Sequence, residues 1–196
     1  MTDERLGDAL WGAIGRLPRG SGIVFRHHRT ARAERLRLWQ QVRALTRARG
    51  LLLLSAGTLL PGADGVHNPG KSPRRGWTTR AVHSRREAVA AGRGATDAIF
   101  VSPVFATRSH PDARALGPVR LGLLLRGLKV PVIALGGMDA RKLRRLQGLG
   151  VYGWAGIDAW SDPPAAASRV VGRRLARPAG SVRATWTSAR PSPRTT

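Results

Sequence analysis

Residues 98–111 read Ala-Ile-Phe-Val-Ser-Pro-Val-Phe-Ala-Thr-Arg-Ser-His-Pro and join a short apolar run to a polar loop. The apolar run is typical of a buried strand. The loop after it concentrates hydroxyls, a guanidinium and an imidazole, which together can surround an anion. In a parallel barrel such a loop lies at the carboxyl ends of the strands, where active sites are built.

Short apolar runs alternate with helical patterns along most of the chain. Helices are predicted over residues 30–49, from residue 84 onward and over residues 139–149, and Ser84 with Glu87 forms a capping box. Strand–helix repetition predicts an α/β fold with a parallel sheet, and this many strands favours a (β/α)₈ TIM barrel. The strands are expected at residues 22–27, 51–55, 65–67, 79–82, 98–101, 130–135 and 153–157.

Both ends of the chain depart from a complete barrel. The start, Met1-Thr2-Asp3-Glu4, has no apolar strand, so the first barrel strand is expected to be missing and sheet edges to be exposed. Residues 57–62 are too few for a helix between two strands. Residues 177–196 are rich in Pro, Ser, Thr and Arg, which predicts a disordered tail after a barrel domain over residues 1–176.

The composition excludes several classes of protein. The 196 residues include 42% hydrophobic residues, which predicts a packed core, and they include no cysteine. A disulfide scaffold, a thiolate metal site and a cysteine nucleophile are therefore excluded. The longest apolar run is far shorter than the roughly 20 residues that span a bilayer. With an acidic start unlike a signal peptide, this predicts a cytoplasmic protein without a membrane partner.

The chain is strongly basic: 34 Lys+Arg against 11 Asp+Glu give a net charge of +23. The arginines are spread over the whole chain, and neither a zinc-finger nor an RRM signature is present. We therefore expect no nucleic-acid partner. The charge either decorates a solvated surface or attracts small anions such as phosphate esters.

A second motif, Pro131-Val-Ile-Ala-Leu-Gly-Gly-Met138, places two glycines at the end of a predicted strand. Glycines there let backbone N–H groups approach a phosphate closely. Taken alone, the motif is equally typical of a tight strand-to-helix turn.

Four segments together resemble the thiamine phosphate synthase and TenI superfamily in order and spacing. They are Ala-Asp-Gly-Val-His at residues 63–67, Ala-Val-His-Ser at 81–84, the loop at 102–111 and the Gly-Gly motif at 134–138. The resemblance covers about residues 22–158. It implies a (β/α)₈ barrel and thiamine biosynthesis, with transfer of hydroxymethylpyrimidine from its diphosphate to thiazole phosphate.

The resemblance also implies roles for individual residues. Thiazole phosphate would be bound by the Thr107 and Ser109 hydroxyls, and by backbone amides at Gly136, Gly137, Ile157 and Asp158. The family's Gln-x-Arg-x-Lys strand, which holds the pyrimidine diphosphate, is replaced by Val24, Arg26 and His28. A family lysine becomes His110, whose support of a leaving diphosphate depends on its protonation.

The expected Mg²⁺ cofactor lacks its carboxylates in this sequence. Family synthases place Asp residues after two neighbouring strands, where this chain has Ser-Ala-Gly at 55–57 and Asn-Pro-Gly-Lys at 68–71. Mg²⁺ prefers oxygen ligands that include carboxylates. Without them, departure of the diphosphate would rely on cationic side chains and histidines, with Arg26, Lys71 and Arg80 the candidates. Asp158 would repel a bound phosphate unless its side chain turns away.

Two alternatives to the synthase stay open. His83 lies in a segment that resembles the turn of TenI-like thiazole tautomerases, where this histidine is the acid/base and no metal is needed. The chain could also be a degenerate barrel that binds thiazole phosphate without catalysis. His27 and His67 are expected to be structural or to line the substrate, and a homo-oligomer remains open.

Overall fold

The computed structural model describes residues 1–70, 76–107 and 112–160. The expectations for Lys71, Ser109, His110 and the tail after residue 176 lie outside the described residues. Within the described part, no helix has the length and apolar character needed to cross a bilayer.

Seven strands form the sheet, and their order in the sheet equals their order in the chain. Neighbouring strands are parallel in every pair whose register is defined. This sequential order is that of a (β/α) barrel, as the repeating pattern predicts. The strands are β1 Gly22–Phe25, β2 Leu52–Ala56, β3 Gly65–His67, β4 Trp77–Val82, β5 Ala98–Val101, β6 Val132–Ala134 and β7 Gly153–Trp154.

Five α-helices accompany these strands in the described ranges. Two of them, α1 and α4, are not predicted from the sequence. Each contains two glycines, which lower helix propensity, so these segments become helical because of their tertiary packing. As expected, the described chain between β2 and β3 holds no helix. The helices are α1 Ala9–Arg16, α2 Arg32–Ala48, α3 Arg85–Arg93, α4 Gly117–Leu125 and α5 Ala140–Arg144.

The predicted helix over residues 139–149 is wrong in its length. Helix α5 ends at Arg144, and the following residues form tight turns, for example from the Leu146 N–H to the Leu143 carbonyl at 2.9 Å. Gly148 and Gly150 both adopt positive φ, which a continuing helix does not allow.

Among the described residues, no strand precedes β1. The chain start instead runs beside the edge of β1, where the Thr2 N–H donates to the Val24 carbonyl at 2.8 Å. A 3₁₀ turn over Glu4–Leu6 and helix α1 then follow. The expected absence of a first strand therefore agrees with the described chain.

The chain divides into two compact units, each with its own apolar core. The first unit contains Met1–Thr78, and its core joins α1, α2, β1 and β2 around Phe25, Trp39 and Val42. The second contains Thr79–Ala159, and its core joins α3, α4, β5 and β6 around residues such as Leu121. In each unit, the helices pack against the strands through this core and so hold the carboxyl ends of the strands in place.

Candidate functional site

In the second unit, the loops after β5 and β6 are joined by backbone hydrogen bonds. The Val104 N–H donates to the Leu135 carbonyl at 2.9 Å, and the Phe105 N–H donates to the Gly136 carbonyl at 3.0 Å. These bonds extend the β5–β6 pairing beyond the strands. The predicted anion loop and the Gly-Gly motif therefore lie side by side.

The two glycines are required by their conformation and by close contact. Gly136 has φ of +90°, and a Cβ there would lie 2.8 Å from the Pro103 Cα. Gly137 has φ of +58°, and its Cβ would collide with the Ala106 carbonyl oxygen. Only glycine fits both positions, because positive φ and a backbone neighbour both exclude a side chain.

The other predicted phosphate ligands follow neighbouring strands of the same unit. Partly buried Thr107 lies beyond β5, and Ile157 and Asp158 follow β7, which pairs with β6 through Ala134 and Trp154. Asp158 opens a 3₁₀ turn over Asp158–Trp160. All these positions come after the carboxyl ends of β5 to β7.

His83 follows β4, and its backbone and ring are both held in place. Its N–H donates to the Glu87 carboxylate at 2.8 Å, and the Ser84 Oγ accepts from the Glu87 N–H as the capping box predicts. The His83 N–H and the Ser84 hydroxyl, which donates to the same carboxylate at 2.9 Å, lower the pKa of the exposed Glu87 carboxyl. The His83 Nδ1 lies 2.8 Å from the Ser102 carbonyl oxygen. Since a carbonyl only accepts, Nδ1 donates this bond, which leaves Nε2 as the nitrogen that can exchange a proton.

A cationic cluster beside the Gly-Gly turn escapes the sequence patterns. The Lys142 Nζ donates to the Gly137 carbonyl at 2.5 Å and lies 5.6 Å from the centre of the Phe105 ring. The Arg145 guanidinium lies 5.3 Å from the same ring. Lys142 lies in α5 and Arg145 directly follows it, so one aromatic ring of the β5 loop is held by the segment that follows the β6 loop. The signal available in the sequence was the spacing of Lys142 and Arg145, three residues apart on one helical face.

In the first unit, Arg26 and His28 directly follow β1. Burial lowers the pKa of His28, and the positive charges of Arg26 and Arg35 lower it further. His67, at the end of β3, is only 3% exposed. Burial, followed by the charge of Arg26, lowers the pKa of His67 to about 3. Both rings therefore favour the neutral form near a permanent arginine charge.

His27 is held by contacts within the first unit, which fits the structural role, one of the two roles expected for it. Its ring stacks on Phe25 with centroids 4.6 Å apart, and its Nδ1 lies 3.0 Å from the Thr2 Oγ. The same hydroxyl accepts from the Arg26 N–H at 3.0 Å. This contact network fixes the backbone from which the Arg26 side chain extends.

The residues after β2 and β3 do not fit a bound Mg²⁺. The Ser55 Oγ donates to the Thr58 carbonyl at 2.7 Å and accepts from the Leu60 N–H at 3.1 Å, so it belongs to its own loop. The Asp64 carboxylate, which precedes β3, accepts from the Leu53 N–H at 2.8 Å. In residues 1–70, 76–107 and 112–160 no group of three metal-binding side chains is found. This donor set is not one that Mg²⁺ selects.

Parallel strands in sequential order, with a glycine turn and Thr107 beyond their carboxyl ends, define a (β/α)-barrel type of protein. The family model described as Thiamine monophosphate synthase matches residues 17–160. The chain belongs to this family, as the four segments predict.

Individual relatives agree with the family. A putative thiamine-phosphate synthase 2 of Aquifex aeolicus is 35% identical over 142 residues, 66% of this chain and 76% of that protein. The thiamine-phosphate synthase of Pyrococcus furiosus is 34% identical over 79 residues, 40% of this chain and 38% of that one. The solved thiamine phosphate pyrophosphorylase from Pyrococcus furiosus has a TM-score of 0.67 at 26% identity, over 81% of this chain and 83% of that chain.

Proposed function

We propose that this chain acts as a thiamine phosphate synthase in thiamine biosynthesis. The bond between the pyrimidine methylene carbon and the diphosphate oxygen breaks, and diphosphate leaves with the electron pair. The thiazole nitrogen lone pair then forms the new C–N bond to the methylene carbon, which gives thiamine phosphate. No proton has to be abstracted, so the protein's main task is to hold and stabilise anions.

The observation that carries the proposal is the pair of joined loops in the second unit. Gly136 and Gly137 adopt conformations that only glycine tolerates and lie against the loop that leads to Thr107. A turn that excludes side chains leaves backbone N–H groups accessible to a phosphate oxygen. We assign the thiazole phosphate to this turn and to the hydroxyls of Thr107 and Ser109, with the amides at Ile157 and Asp158 completing the site.

The pyrimidine diphosphate is assigned to Arg26 and His28 of the first unit, with His110 as a further candidate for the leaving group. The support is the sequence match to the family's strand and the permanent charge of Arg26, which directly follows β1. Mg²⁺ is expected of the family, but the described donor set does not fit it, so the positive charge for the leaving diphosphate is assigned to the protein's own side chains.

The thiazole tautomerase remains the second candidate because of the His83 ring. With Nδ1 bonded to the Ser102 carbonyl, Nε2 is the basic nitrogen that such a proton transfer needs. The relatives above carry synthase names, which favours the synthase over this alternative and over a non-catalytic barrel. Replacing His83 by Ala separates the candidates, since it should abolish tautomerisation and leave coupling largely intact.

Complementation tests the proposal in a cell. A thiamine auxotroph blocked at the coupling step should grow without thiamine when it expresses this chain. A strain that expresses Gly137→Asp, which places a carboxylate in the phosphate turn, should not grow. No growth with a well-expressed parent chain would contradict the synthase.

The remaining parts of the proposal concern the binding partners of the chain and its location in the cell. The partners are small phosphate esters, and the strongly positive net charge favours their approach. Such charged substrates do not cross a bilayer unaided, which supports action in the cytoplasm. We also propose that residues 1–176 form the functional domain.

A further inference from the structure

The backbone N–H of Met138, directly after the Gly-Gly turn, has no acceptor in the part of the chain that the structure describes. Met138 is nevertheless a buried residue, with 4% of its surface exposed. Backbone N–H groups of buried residues nearly always have a hydrogen-bond partner, which can be a ligand or an ordered water as well as the protein. An N–H without one, beside a turn built of glycines, therefore indicates a place where a ligand accepts.

The direction of this N–H is set by a side chain. The Gly136 carbonyl accepts from the Phe105 N–H at 3.0 Å, a bond made by the backbone of the β5 loop. The Gly137 carbonyl accepts instead from the Lys142 Nζ at 2.5 Å. In a trans peptide the C=O and the N–H point in opposite directions. By holding the Gly137 carbonyl, Lys142 therefore directs the Met138 N–H away from α5.

Met138 also lies next to the loop that follows β7. A Cβ added at Gly156 would lie 3.6 Å from the Met138 carbonyl oxygen. Gly156 directly precedes Ile157 and Asp158, the residues whose amides are assigned to the phosphate. The Met138 backbone is thus adjacent both to the Gly-Gly turn and to the other proposed phosphate donors.

The charge of Lys142 has a carboxylate beside it. The Asp139 Oδ1 accepts from the Lys142 N–H at 2.7 Å, and the Asp139 Oδ2 lies 3.7 Å from the Lys142 Nζ. Asp158 carries a further carboxylate at this edge of the second unit. Lys142 therefore has two effects on a nearby anion: it holds the Gly137 peptide, and it offsets the charge of Asp139.

We propose that the Met138 N–H is a further donor to the substrate phosphate, and that Lys142 is the positioning residue that directs this N–H through the Gly137 carbonyl. The inference rests on the proposed function for the identity of the ligand, thiazole phosphate. A peptide that is already oriented in the free protein does not have to be ordered when the phosphate binds, which strengthens binding.

Nuclear magnetic resonance can observe the Met138 N–H directly. The sequence contains two methionines, at positions 1 and 138, so labelling the full chain with ¹⁵N-methionine gives a spectrum with very few signals. Loss of a signal in Met138→Leu assigns it to Met138. On titration with thiazole phosphate we expect the Met138 amide proton to shift downfield, because a charged acceptor makes a strong hydrogen bond. A signal that stays in place at saturation overturns the proposal.

Variants of Lys142 test the positioning role. Lys142→Met should weaken thiazole phosphate binding about fivefold, the effect of one ordinary hydrogen bond, and reduce the downfield shift of Met138. Lys142→Arg keeps a donor for the Gly137 carbonyl and should restore both. Arg144→Met removes a positive charge from an exposed position of α5 and should change neither. Equal losses in Lys142→Met and Arg144→Met would show an effect of net charge and overturn the positioning role.

A double-mutant cycle separates the two effects of Lys142. Asp139→Asn removes the carboxylate and keeps a side-chain oxygen that can cap α5. If Lys142 acts through the Gly137 carbonyl, Lys142→Met still costs about fivefold in affinity when Asp139 is already Asn. If the loss disappears in that background, Lys142 only offsets Asp139 and the proposal is wrong.

The failure of this inference and that of the proposed function can be told apart. Coupling turnover, combined with a Met138 signal that does not respond to thiazole phosphate, overturns the inference and leaves the synthase standing. A Met138 shift that depends on Lys142, without turnover, supports the inference and removes the synthase.

Discussion

The carboxyl ends of β5 to β7 in the second unit and those of β1 to β3 in the first unit differ in what would hold an anion. The first unit relies on charged side chains, which a single substitution can exchange, and here the expected carboxylates are missing. The second unit relies on backbone: Gly136 and Gly137 adopt positive φ and pack against the β5 loop. Backbone shape is harder to change than side-chain charge, so we expect single substitutions to affect the two regions differently.

The largest effect is expected from a substitution that breaks the backbone-built edge. Gly137→Ala should destabilise the fold by about 2–5 kcal/mol, about 1–2 for left-handed φ and the rest for overpacking against Ala106. Gly148→Ala is the matched control, since Gly148 has φ of +81° and a Cβ added there would meet nothing within 4 Å. It should lose only the φ contribution. Urea unfolding of both variants measures the difference, and equal losses would show that close packing is unimportant.

A hydroxyl deletion tests the same edge more gently. Thr107→Ala should weaken thiazole phosphate binding by about 1.5–3 kcal/mol, roughly 10- to 150-fold, because one hydrogen bond to a charged group is lost. Thr107→Ser keeps the hydroxyl and should bind nearly as the parent does. Calorimetry gives both affinities. If the Ala and Ser variants bind alike, Thr107 does not contact the phosphate.

For the first unit, the prediction concerns protonation of the buried His67 ring. The pKa of His67 is lowered to about 3 in the folded chain, from an ordinary value near 6.5. Below about pH 6.5 the unfolded chain takes up a proton that the folded chain refuses, so this contribution to stability is present above that pH. It is lost at up to about 1.4 kcal/mol per pH unit as the pH falls toward 3.

Urea unfolding at pH 7, 6 and 5 tests this linkage in the parent and in His67→Gln. Other groups with lowered pKa values, among them Asp3, Glu4, His27 and His28, act in the same direction in both proteins. The difference between the two proteins therefore isolates His67. We expect the variant to lose less stability on acidification, and parallel losses would contradict a buried neutral ring.

The smallest effect is expected from substituting the two cationic residues that lie over the Phe105 ring. Lys142→Met removes the donor to the Gly137 carbonyl and should weaken thiazole phosphate binding by about 1 kcal/mol, since the side chain is partly exposed. Arg145→Met keeps that bond and should change binding less. Lys142→Arg should restore most of the affinity. An unchanged affinity in Lys142→Met would mean that the turn holds its shape unaided.

Local sequence signals predict the strands well and the helices less well. Runs such as Ala98–Val101 and the capping box at Ser84 leave few alternatives, and both are confirmed. Helices α1 and α4 depend on tertiary burial of residues such as Leu121, which local patterns do not contain. The length of α5 depends on turns that propensity does not distinguish from a continuing helix.

The candidate site likewise has features that the sequence predicts and features that it does not. The Gly-Gly motif could be predicted because glycine is the chemical requirement of that backbone. The His83 ring orientation and the Lys142–Phe105 contact arise between segments distant in sequence or through one particular side-chain geometry. The spacing of Lys142 and Arg145 places both on one helical face, but it does not predict which ring they contact. The roles assigned to Ser109 and His110 stay predictions, because both residues lie outside the described ranges.

The stoichiometry of coupling shows directly whether the chain is a synthase. The purified full chain is incubated with hydroxymethylpyrimidine diphosphate and thiazole phosphate, and pyrophosphate and thiamine phosphate are both quantified over time. We expect the two products to accumulate one for one, and omission of thiazole phosphate to stop both. Binding of thiazole phosphate without formation of either product would contradict the synthase and leave a non-catalytic barrel.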